Sequence, residues 1–460
     1  MTVATQNPSI RVLLYKARDR MEAAPGLSVS NRVDGARWYD LTDYLGEHGG
    51  VRTSKSISEP AGGFVITFSD QMHRERMDSI YGLVEPMDRV EIYMTGNAIT
   101  PSLVMRGFVS DISRNTGVDG EGRPTRTVTI SGQDYGKILQ ILQIIYLNNS
   151  VIGDNILSGF KLLEKYSINV SNNPPVAVFM SIVLDSIVNP FLADITNGGK
   201  IVSNISIEGR VSSSSVNTWD GGNIWGLLNL VSDVQTGFNE MFIRDLDDVV
   251  ELVLRPRPWR MPDGSFLRGN APFDTVKIPL SDVMSQHVTR SDSGVANLFW
   301  MRAPHLHLLS NNSLRLQAQV APVYDYENID PKLYGIRQMD VTTMLIPPDG
   351  DIAPGAKEDS QSTFTSHVVD WQKDRLSLLQ SASQDAVIFE RGTLSLRGNE
   401  NIQIGMDLQI DDLSIQYVTA VDHDYQPFRS FTTSVSFERG DGYIRRLQSD
   451  ASPYLQELVR

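Results

Sequence analysis

The segment Gly107-Phe-Val-Ser-Asp-Ile112, followed by Arg126-Thr-Val-Thr-Ile-Ser-Gly-Gln-Asp134, decides the fold, because the same pattern returns more than 300 residues later. A related segment, Met87-Asp-Arg-Val-Glu-Ile-Tyr93, comes before both. Each of the three alternates apolar and polar residues, and turn residues separate them. This pattern is typical of antiparallel β-strands with one buried face.

The second copy of the pattern lies near the end of the chain. It consists of Met406-Asp-Leu-Gln-Ile410, Ile415-Gln-Tyr-Val-Thr-Ala-Val421 and Phe431-Thr-Thr-Ser-Val-Ser-Phe-Glu-Arg-Gly-Asp441. The return of three alternating segments in the same order is a weak internal repeat. The sequence therefore predicts two similar small antiparallel β-barrels in one chain.

Between the two copies the apolar spacing becomes helical in places. One helix is predicted from Tyr135 to Tyr146, since Ile138, Leu139, Leu142 and Ile145 would share one face. Further helices are predicted at 176–188, after two prolines, and at 223–234, followed by a hairpin at 237–254. This region is interpreted as a mixed α/β domain.

We therefore predict a mainly β protein with α+β parts. The predicted domains are a first β-barrel at 1–134, a mixed α/β domain at 135–275, a discontinuous second β-barrel at 276–303 and 385–446, an inserted subdomain at 304–384 with a helix from Phe364 to Ser381, and a C-terminal tail at 447–460.

Composition limits the possible functions. The 460 residues suggest about three domains at roughly 150 residues each. There is no cysteine, which excludes disulfides, thiolate metal sites and cysteine nucleophiles. A net charge of −14 without a basic block argues against a sequence-reading nucleic-acid binder. No secretory signal or membrane-spanning run is apparent.

Motifs of catalysis and metal binding are absent or incomplete. The sequence has no HExxH, P-loop, GxSxG or strand-linked GxGxxG. Ser158 and Lys161 fit S-x-x-K without its companion elements, and His305 with His307 lack a third ligand. Asp245, Asp247 and Asp248 resemble the start of a calcium loop but are interpreted as a solvated turn. We expect no catalytic, cofactor or metal site.

Several segments together resemble the central hub proteins of phage tail baseplates, the family that includes late control protein D and the hub portion of type VI secretion spike proteins. The segments that carry the resemblance are 107–112 with 128–134, 223–230, 238–242 with 254–259, 280–283 with 291–297, 334–338, and 405–440. The resemblance extends over nearly the whole chain, and each segment alone is a loose motif of glycine, aspartate and aliphatic positions. Their residues are interpreted as turn glycines, buried strand faces and loop caps, which are features of the fold and not of a catalytic site.

The resemblance implies a homotrimer in which six similar barrels form a ring. Its implied partners are the tail tube protein, the spike protein and other baseplate subunits, with DNA only in transit and no cofactor. The implied location is the tail of a virion assembled in the bacterial cytoplasm. Spike and hydrolase activities are expected on other chains. The channel lining is expected to be neutral or acidic, so that it does not retain DNA phosphates.

Two alternatives from other classes stay open: a peptidoglycan or polysaccharide hydrolase of the tail tip, and a receptor-binding tail protein. A hydrolase requires a carboxylate pair that meets only in the fold. The candidate partner contacts are a hairpin tip and an apolar stripe in the tail. They comprise Gly117, Gly120, Gly122, Leu447, Tyr454, Leu455 and Leu458.

Overall fold

The architecture is that of a computed structural model of the 460-residue chain. It describes residues 7–18, 32–47, 49–74, 79–97, 100–118, 122, 124–144, 146–148, 167–169, 174–196, 198–211, 222–246, 248–302, 326–348 and 358–448. The described part is mainly β with several helices, in agreement with the predicted class.

Strands dominate both ends of the chain. The N-terminal strands are β1 (Ser9–Arg18), β2 (Arg32–Asp40), β3 (Gly50–Ser56), β4 (Gly63–Ser69), β5 (Arg89–Thr95), β6 (Ser102–Val118) and β7 (Pro124–Asp134). The middle strands are β8 (Gln143–Ile144), β9 (Tyr146–Asn148), β10 (Ser167–Asn169), β11 (Ile201–Ile205), β12 (Arg210–Val211), β13 (Gly222–Asn223), β14 (Asn239–Asp245) and β15 (Val250–Pro256). The later strands are β16 (Thr275–Ile278), β17 (Val283–Thr289), β18 (Leu298–Arg302), β19 (Gln338–Thr342), β20 (Leu345–Ile346), β21 (Glu390–Arg397), β22 (Asp407–Ile410), β23 (Ser414–Gln426) and β24 (Ser430–Gly440).

Helices lie mainly between the strand-rich ends. They are α1 (Ile80–Leu83), α2 (Gly136–Ile141), α3 (Val176–Thr196), α4 (Ile224–Leu230), α5 (Pro331–Tyr334), α6 (Glu358–Ser383) and α7 (Gly442–Gln448). Short 3-10 turns occupy Thr42–Tyr44, Leu267–Gly269, Leu280–Asp282, Asp292–Gly294 and Glu327–Ile329.

One large sheet contains both copies of the sequence repeat. In the described part of the chain it has thirteen strands in the order β17-β21-β24-β23-β3-β4-β7-β6-β5-β1-β2, with β22 also on β23 and β16 on β22. The prediction of two small closed barrels is not confirmed, because no described pairing closes either half on itself. The edge of β3 instead pairs with β23 of the other half.

Each part of the fold has its own apolar core. In β4, alternation places Phe64, Ile66 and Phe68 in the core of the N-terminal strands. The C-terminal strands enclose a second core around Leu396 and Leu408. A third core lies under α3 and the three-stranded sheet β11-β15-β14, and a fourth lies between α6 and the parallel pair β18-β19. The domain limits given above stay predictions.

Helix α2 is shorter than predicted. The chain is extended at Leu142, and Gln143–Ile144 pairs with β13 instead of continuing the helix. The Leu142 carbonyl accepts a hydrogen bond from the Ile224 N–H at 3.0 Å. Ile138, Leu139 and Leu142 are buried as predicted, whereas Ile145 lies outside the described residues. Tertiary pairing therefore ends the helix before its apolar pattern does.

Helix α3 begins at the predicted residue and runs eight residues further than predicted, through Pro190. Over Leu184–Val188 it widens into a π turn, in which the Asn189 N–H donates to the Leu184 carbonyl. A proline lacks the N–H of a regular helix, and its ring clashes with the carbonyl four residues earlier. The wider turn just before Pro190 lets the helix continue.

By length and composition alone, Val176–Thr196 could cross a membrane, which the sequence interpretation did not foresee. One side of the helix, however, is buried in the third core with Leu252 and Leu254 of β15. Phe179, Met180 and Val183 on that side are almost wholly inaccessible. We therefore interpret it as the core helix of the mixed region.

The close packing around the neighbouring strands β4, β7 and β6 requires a glycine in β7. A Cβ at Gly132 would collide with the Phe64 ring and the Phe108 carbonyl. We predict that Gly132→Ala lowers the free energy of unfolding by about 1–3 kcal/mol, the usual cost of overpacking. Gly294→Ala, where no atom lies within 4 Å, is the matched control. Urea unfolding checks this, and equal stability of the two variants would contradict it.

Candidate assembly interface

The two halves of the large sheet have the same strand order. The first half runs β3-β4-β7-β6-β5, and the second runs β17-β21-β24-β23-β22, with every neighbouring pair antiparallel. Strand β17 was not predicted, because its polar exposed residues show no buried face. The repeated unit therefore has five strands, two more than the sequence repeat indicates.

Fine details of the two units also agree. The pairing of β6 with β7 is irregular between Val109 and Asp111, and that of β23 with β24 is irregular between Val418 and Ala420. These irregularities make Val109 equivalent to Val418 and Ser110 equivalent to Thr419. A β-bulge at the same place in both units is a specific feature, since bulges bend and twist a strand locally.

A residue in the left-handed backbone conformation precedes β5 in the first unit and the equivalent strand β22 in the second. Met87 (φ 72°) donates its N–H to the Val109 carbonyl at 2.9 Å, and Gly405 (φ 79°) donates to the Val418 carbonyl at 3.0 Å. Met87 and Gly405 are therefore equivalent. The two Met-Asp pairs of the sequence repeat, at 87–88 and 406–407, are offset by one residue in the structure.

The two units join edge to edge within the chain. Strand β3 pairs antiparallel with β23, from Val51 opposite Tyr425 to Ser56 opposite Ala420. The Ile57 N–H extends this pairing to the Thr419 carbonyl at 2.9 Å. Strand β22 occupies the first half of the same edge of β23. One edge of β23 thus binds a strand of its own unit and a strand of the other unit.

One face of this junction is buried and partly polar. Val51 and Thr53 of β3 are buried there with Val421 and His423 of β23. The Nδ1 atom of His423 lies 3.0 Å from the Thr433 hydroxyl. Burial lowers the pKa of His423 to about 4, because the charged imidazolium is poorly solvated inside the protein. The imidazole is therefore neutral at pH 7.

A buried ion cluster lies beside the junction. The Lys55 ammonium binds the Asp245 carboxylate and lies 3.6 Å from that of Asp134. Burial alone would lower the pKa of Lys55, but the two carboxylates outweigh burial and raise it. Burial raises the pKa of Asp134 to about 6, although Lys55 opposes this rise. The cluster connects β3, β7 and β14.

Two further contacts fix the second unit. The Glu400 carboxylate accepts hydrogen bonds from the Thr95 hydroxyl (2.8 Å) and the Gly96 N–H (2.9 Å), which ties the turn after β21 to the end of β5. In the mixed region, Glu240 accepts from Tyr417 at 2.6 Å and from Arg255 at 2.7 Å. These contacts hold the second unit against its neighbours.

The predicted partner contacts are only partly described. Gly117 is exposed near the end of β6, opposite Thr125 of β7, and Gly122 is exposed at the tip of the same hairpin with φ 80°. Leu447 is exposed at the end of α7. The other four lie outside the described residues: Gly120, Tyr454, Leu455 and Leu458. Gly117 and Gly122 thus share one hairpin, whereas Leu447 belongs to a separate helix.

The residues considered as candidates for catalysis or metal binding are only partly described. Asp245 is buried against Lys55, so its interpretation as part of a solvated turn is wrong, whereas Asp248 is exposed. The remaining five, Asp247, Ser158, Lys161, His305 and His307, lie outside the described residues. In the part of the chain that the structure describes, no three histidine or acidic side chains form a group that could hold a metal.

A cleft with an aromatic lining lies between the mixed region and α6. It has a volume of about 240 Å³ and is lined by Trp259 and Trp371 among others. Its three arginines are already paired with carboxylates: Arg257 with Glu438, Arg268 with Asp374, and Arg375 with Asp233. These pairings give the cleft a structural role in joining two parts of the fold.

Comparison with known proteins gave matches by structure only. No known protein family's sequence profile matches the chain, and no curated protein matches it by sequence. The structure is similar to a tail protein of Neisseria meningitidis MC58 (10% identity, 94% of this chain and 96% of that chain, TM-score 0.46). It is also similar to the 43 kDa tail protein of prophage MuSo2 from Shewanella oneidensis (12%, 94% and 99%, TM-score 0.48).

A third similar structure is the prophage tail protein gp18 of Listeria monocytogenes EGD-e (10% identity, 93% of this chain and 94% of that chain, TM-score 0.42). At such low identities and scores, the function of this chain is inferred below from its own strands and contacts.

The buried imidazole at the junction makes stability depend on pH. An unfolded histidine binds a proton near pH 6.5, whereas native His423 does so near pH 4. As pH falls from 6.5 to 4, the unfolded state gains protons that the native state does not, so native stability decreases. We predict that His423→Gln removes this decrease, a difference that approaches about 3 kcal/mol by pH 4.

Urea unfolding between pH 7 and pH 4 measures this difference. The change at Asp134 occurs in both proteins and cancels in the comparison. His367→Gln, an exposed position on α6, is the control and should keep the native decrease. Parallel curves for the native protein and His423→Gln would contradict the prediction.

Proposed function

We propose that this chain is the structural hub of a phage tail baseplate, a homotrimeric ring with pseudo-sixfold symmetry that joins the sixfold tail tube to the threefold spike. The observation that carries the proposal is the in-chain junction of two equivalent five-stranded units at β3 and β23. A contact between unlike edges of similar units is heterologous, and such contacts form a closed ring when the rotation permits.

Three copies supply six equivalent units, which is the number needed to match a sixfold tube. The same ring keeps threefold symmetry, because the mixed region and α6 occur once per chain. One face can therefore bind a sixfold partner and the other a threefold partner. The resemblance in sequence to baseplate hubs supports the same assignment.

The proposed partners are the tail tube, the spike and other baseplate subunits, with DNA passing through the ring. The net charge of −14 suits a conduit, because an acidic or neutral lining does not retain phosphates. Basic residues along the lumen would hold DNA through counterion release.

The central test is the number of copies in the assembly. Native mass spectrometry of the full chain, and of baseplates from purified particles, should give three copies. Isolated chains can require a partner to trimerise, so the particle measurement decides. One copy per baseplate, or a stable monomer both in solution and in particles, would overturn the proposal.

The hydrolase alternative makes a different prediction. Buried carboxylates such as Glu240, Asp407 and Asp233 are paired with arginines, which is a structural arrangement. We expect purified chain to leave peptidoglycan turbidity unchanged, with hen egg lysozyme as the positive control. Clearing that is lost on substitution of one carboxylate would favour the hydrolase.

A further inference from the structure

Strand β17 has an unprotected edge. Among the described pairings it binds β21 only, and its other edge has no partner. After an irregularity at Met284, the run Ser285-Gln-His-Val-Thr289 contains no lysine and no proline. Natural edge strands are usually blocked by such residues, by bulges or by covering segments, because a bare edge recruits another strand.

The second half of β6 has a complementary edge. Strand β5 pairs with β6 only from Ser102 to Phe108, whereas β7 follows the other edge to Val118. From Asp111 to Thr116 the edge that faces away from β7 therefore has no partner among the described residues. In the other unit, the same half-edge of β23 binds β3.

The pairings inside each unit define which residues are equivalent. On the first unit, Ile66 of β4 lies opposite Val51 of β3 and opposite Ile130 of β7, and Ile130 lies opposite Ile112 of β6. In the second unit, the same path runs from Gln286 through Leu394 and Val435 to Val421. Hence Val51 corresponds to Gln286, and Ile112 corresponds to Val421.

We propose that residues 286–291 of one copy pair antiparallel with residues 116–111 of β6 in the next copy, with Thr289 opposite Ser113. This pairing repeats between chains the junction that β3 and β23 form within a chain. The inference rests on the proposed trimer and defines the surface and register by which it closes.

The exposure of β17 and of the second half of β6 is consistent with a junction in which each strand pairs with a strand of another copy. In β3, the exposed fractions of Val51 and Thr53 are 1% and 2%. Of their equivalents in β17, Gln286 is exposed and Val288 is half-buried. On the other side, His423 is 4% exposed, and its equivalent Arg114 is exposed. Equivalent positions are therefore buried in the in-chain junction of β3 with β23, and more exposed on β17 and β6 of the single chain.

The absence of cysteine makes disulfide crosslinking a clean test. The Ile57 N–H bonds to the Thr419 carbonyl, so by alternation Ser54 and Asp422 form a non-hydrogen-bonded pair. Their equivalents are Thr289 and Ser113. Opposed Cα atoms in such pairs are about 4.5 Å apart, within the range that a disulfide spans.

The test variant is Thr289→Cys with Ser113→Cys in the full chain. Under mild oxidation it should form covalent dimers and then covalent trimers on non-reducing gels. Ser54→Cys with Asp422→Cys is the geometric control and should crosslink within one chain only. Thr289→Cys with Gly117→Cys, four residues out of register and roughly 14 Å apart, should not crosslink.

A second variant removes one backbone hydrogen bond of the proposed pairing between β17 and β6 of the next copy. By the same alternation, the Gln286 N–H points away from β21, so Gln286→Pro removes a donor to the next copy and leaves the β21 pairing intact. We expect its trimer dissociation constant to rise at least tenfold relative to Gln286→Ala, with an unchanged unfolding midpoint of the monomer. An unchanged dissociation constant would overturn the pairing.

The outcomes separate this inference from the proposed function. A trimer by native mass spectrometry that does not crosslink through Thr289 and Ser113 refutes the pairing and leaves the hub intact. Crosslinking of Thr289→Cys alone indicates twofold pairing of β17 with itself and refutes it too. Absence of a trimer in solution and in particles refutes both.

Discussion

The backbone pairing of β3 with β23 is the constraint on which the rest of the structure depends. It joins two units of the same strand order into one sheet, and it fixes their register through alternate hydrogen bonds from Val51 to Ile57. A shift by one residue would turn Thr53 and His423 away from the buried face. The junction therefore specifies one arrangement of the two units.

Buried polar groups at the junction also favour one register of the two units. These groups can be buried only because each is paired with a group from a segment distant in sequence. The pairs are Lys55 with Asp134 and Asp245, and Glu400 with Thr95. Buried ion pairs of this kind contribute little net stability against apolar side chains, but breaking one partner is costly. We interpret them as contacts that select the register, while the apolar cores supply most of the stability.

Much of the fold follows from the sequence, because alternation in the segments at 107–134 and 415–441 reports a buried strand face directly. Strand β17 gives no such signal, since none of its residues is buried in the single chain. The end of α2 at Ile141 and the role of Asp245 also depend on partners far along the chain, Ile224 and Lys55. The junction itself could not be predicted, because pairing between strands some 370 residues apart leaves no local pattern.

The in-chain junction and the proposed junction between copies are expected to be equivalent. Electron cryomicroscopy of the assembled 460-residue chain tests this equivalence most directly. We predict a ring of three chains in which the five-stranded units are related by rotations of about 60° both within and between chains. A twofold assembly, an open filament, or a ring in which β17 and β6 lie apart would contradict it.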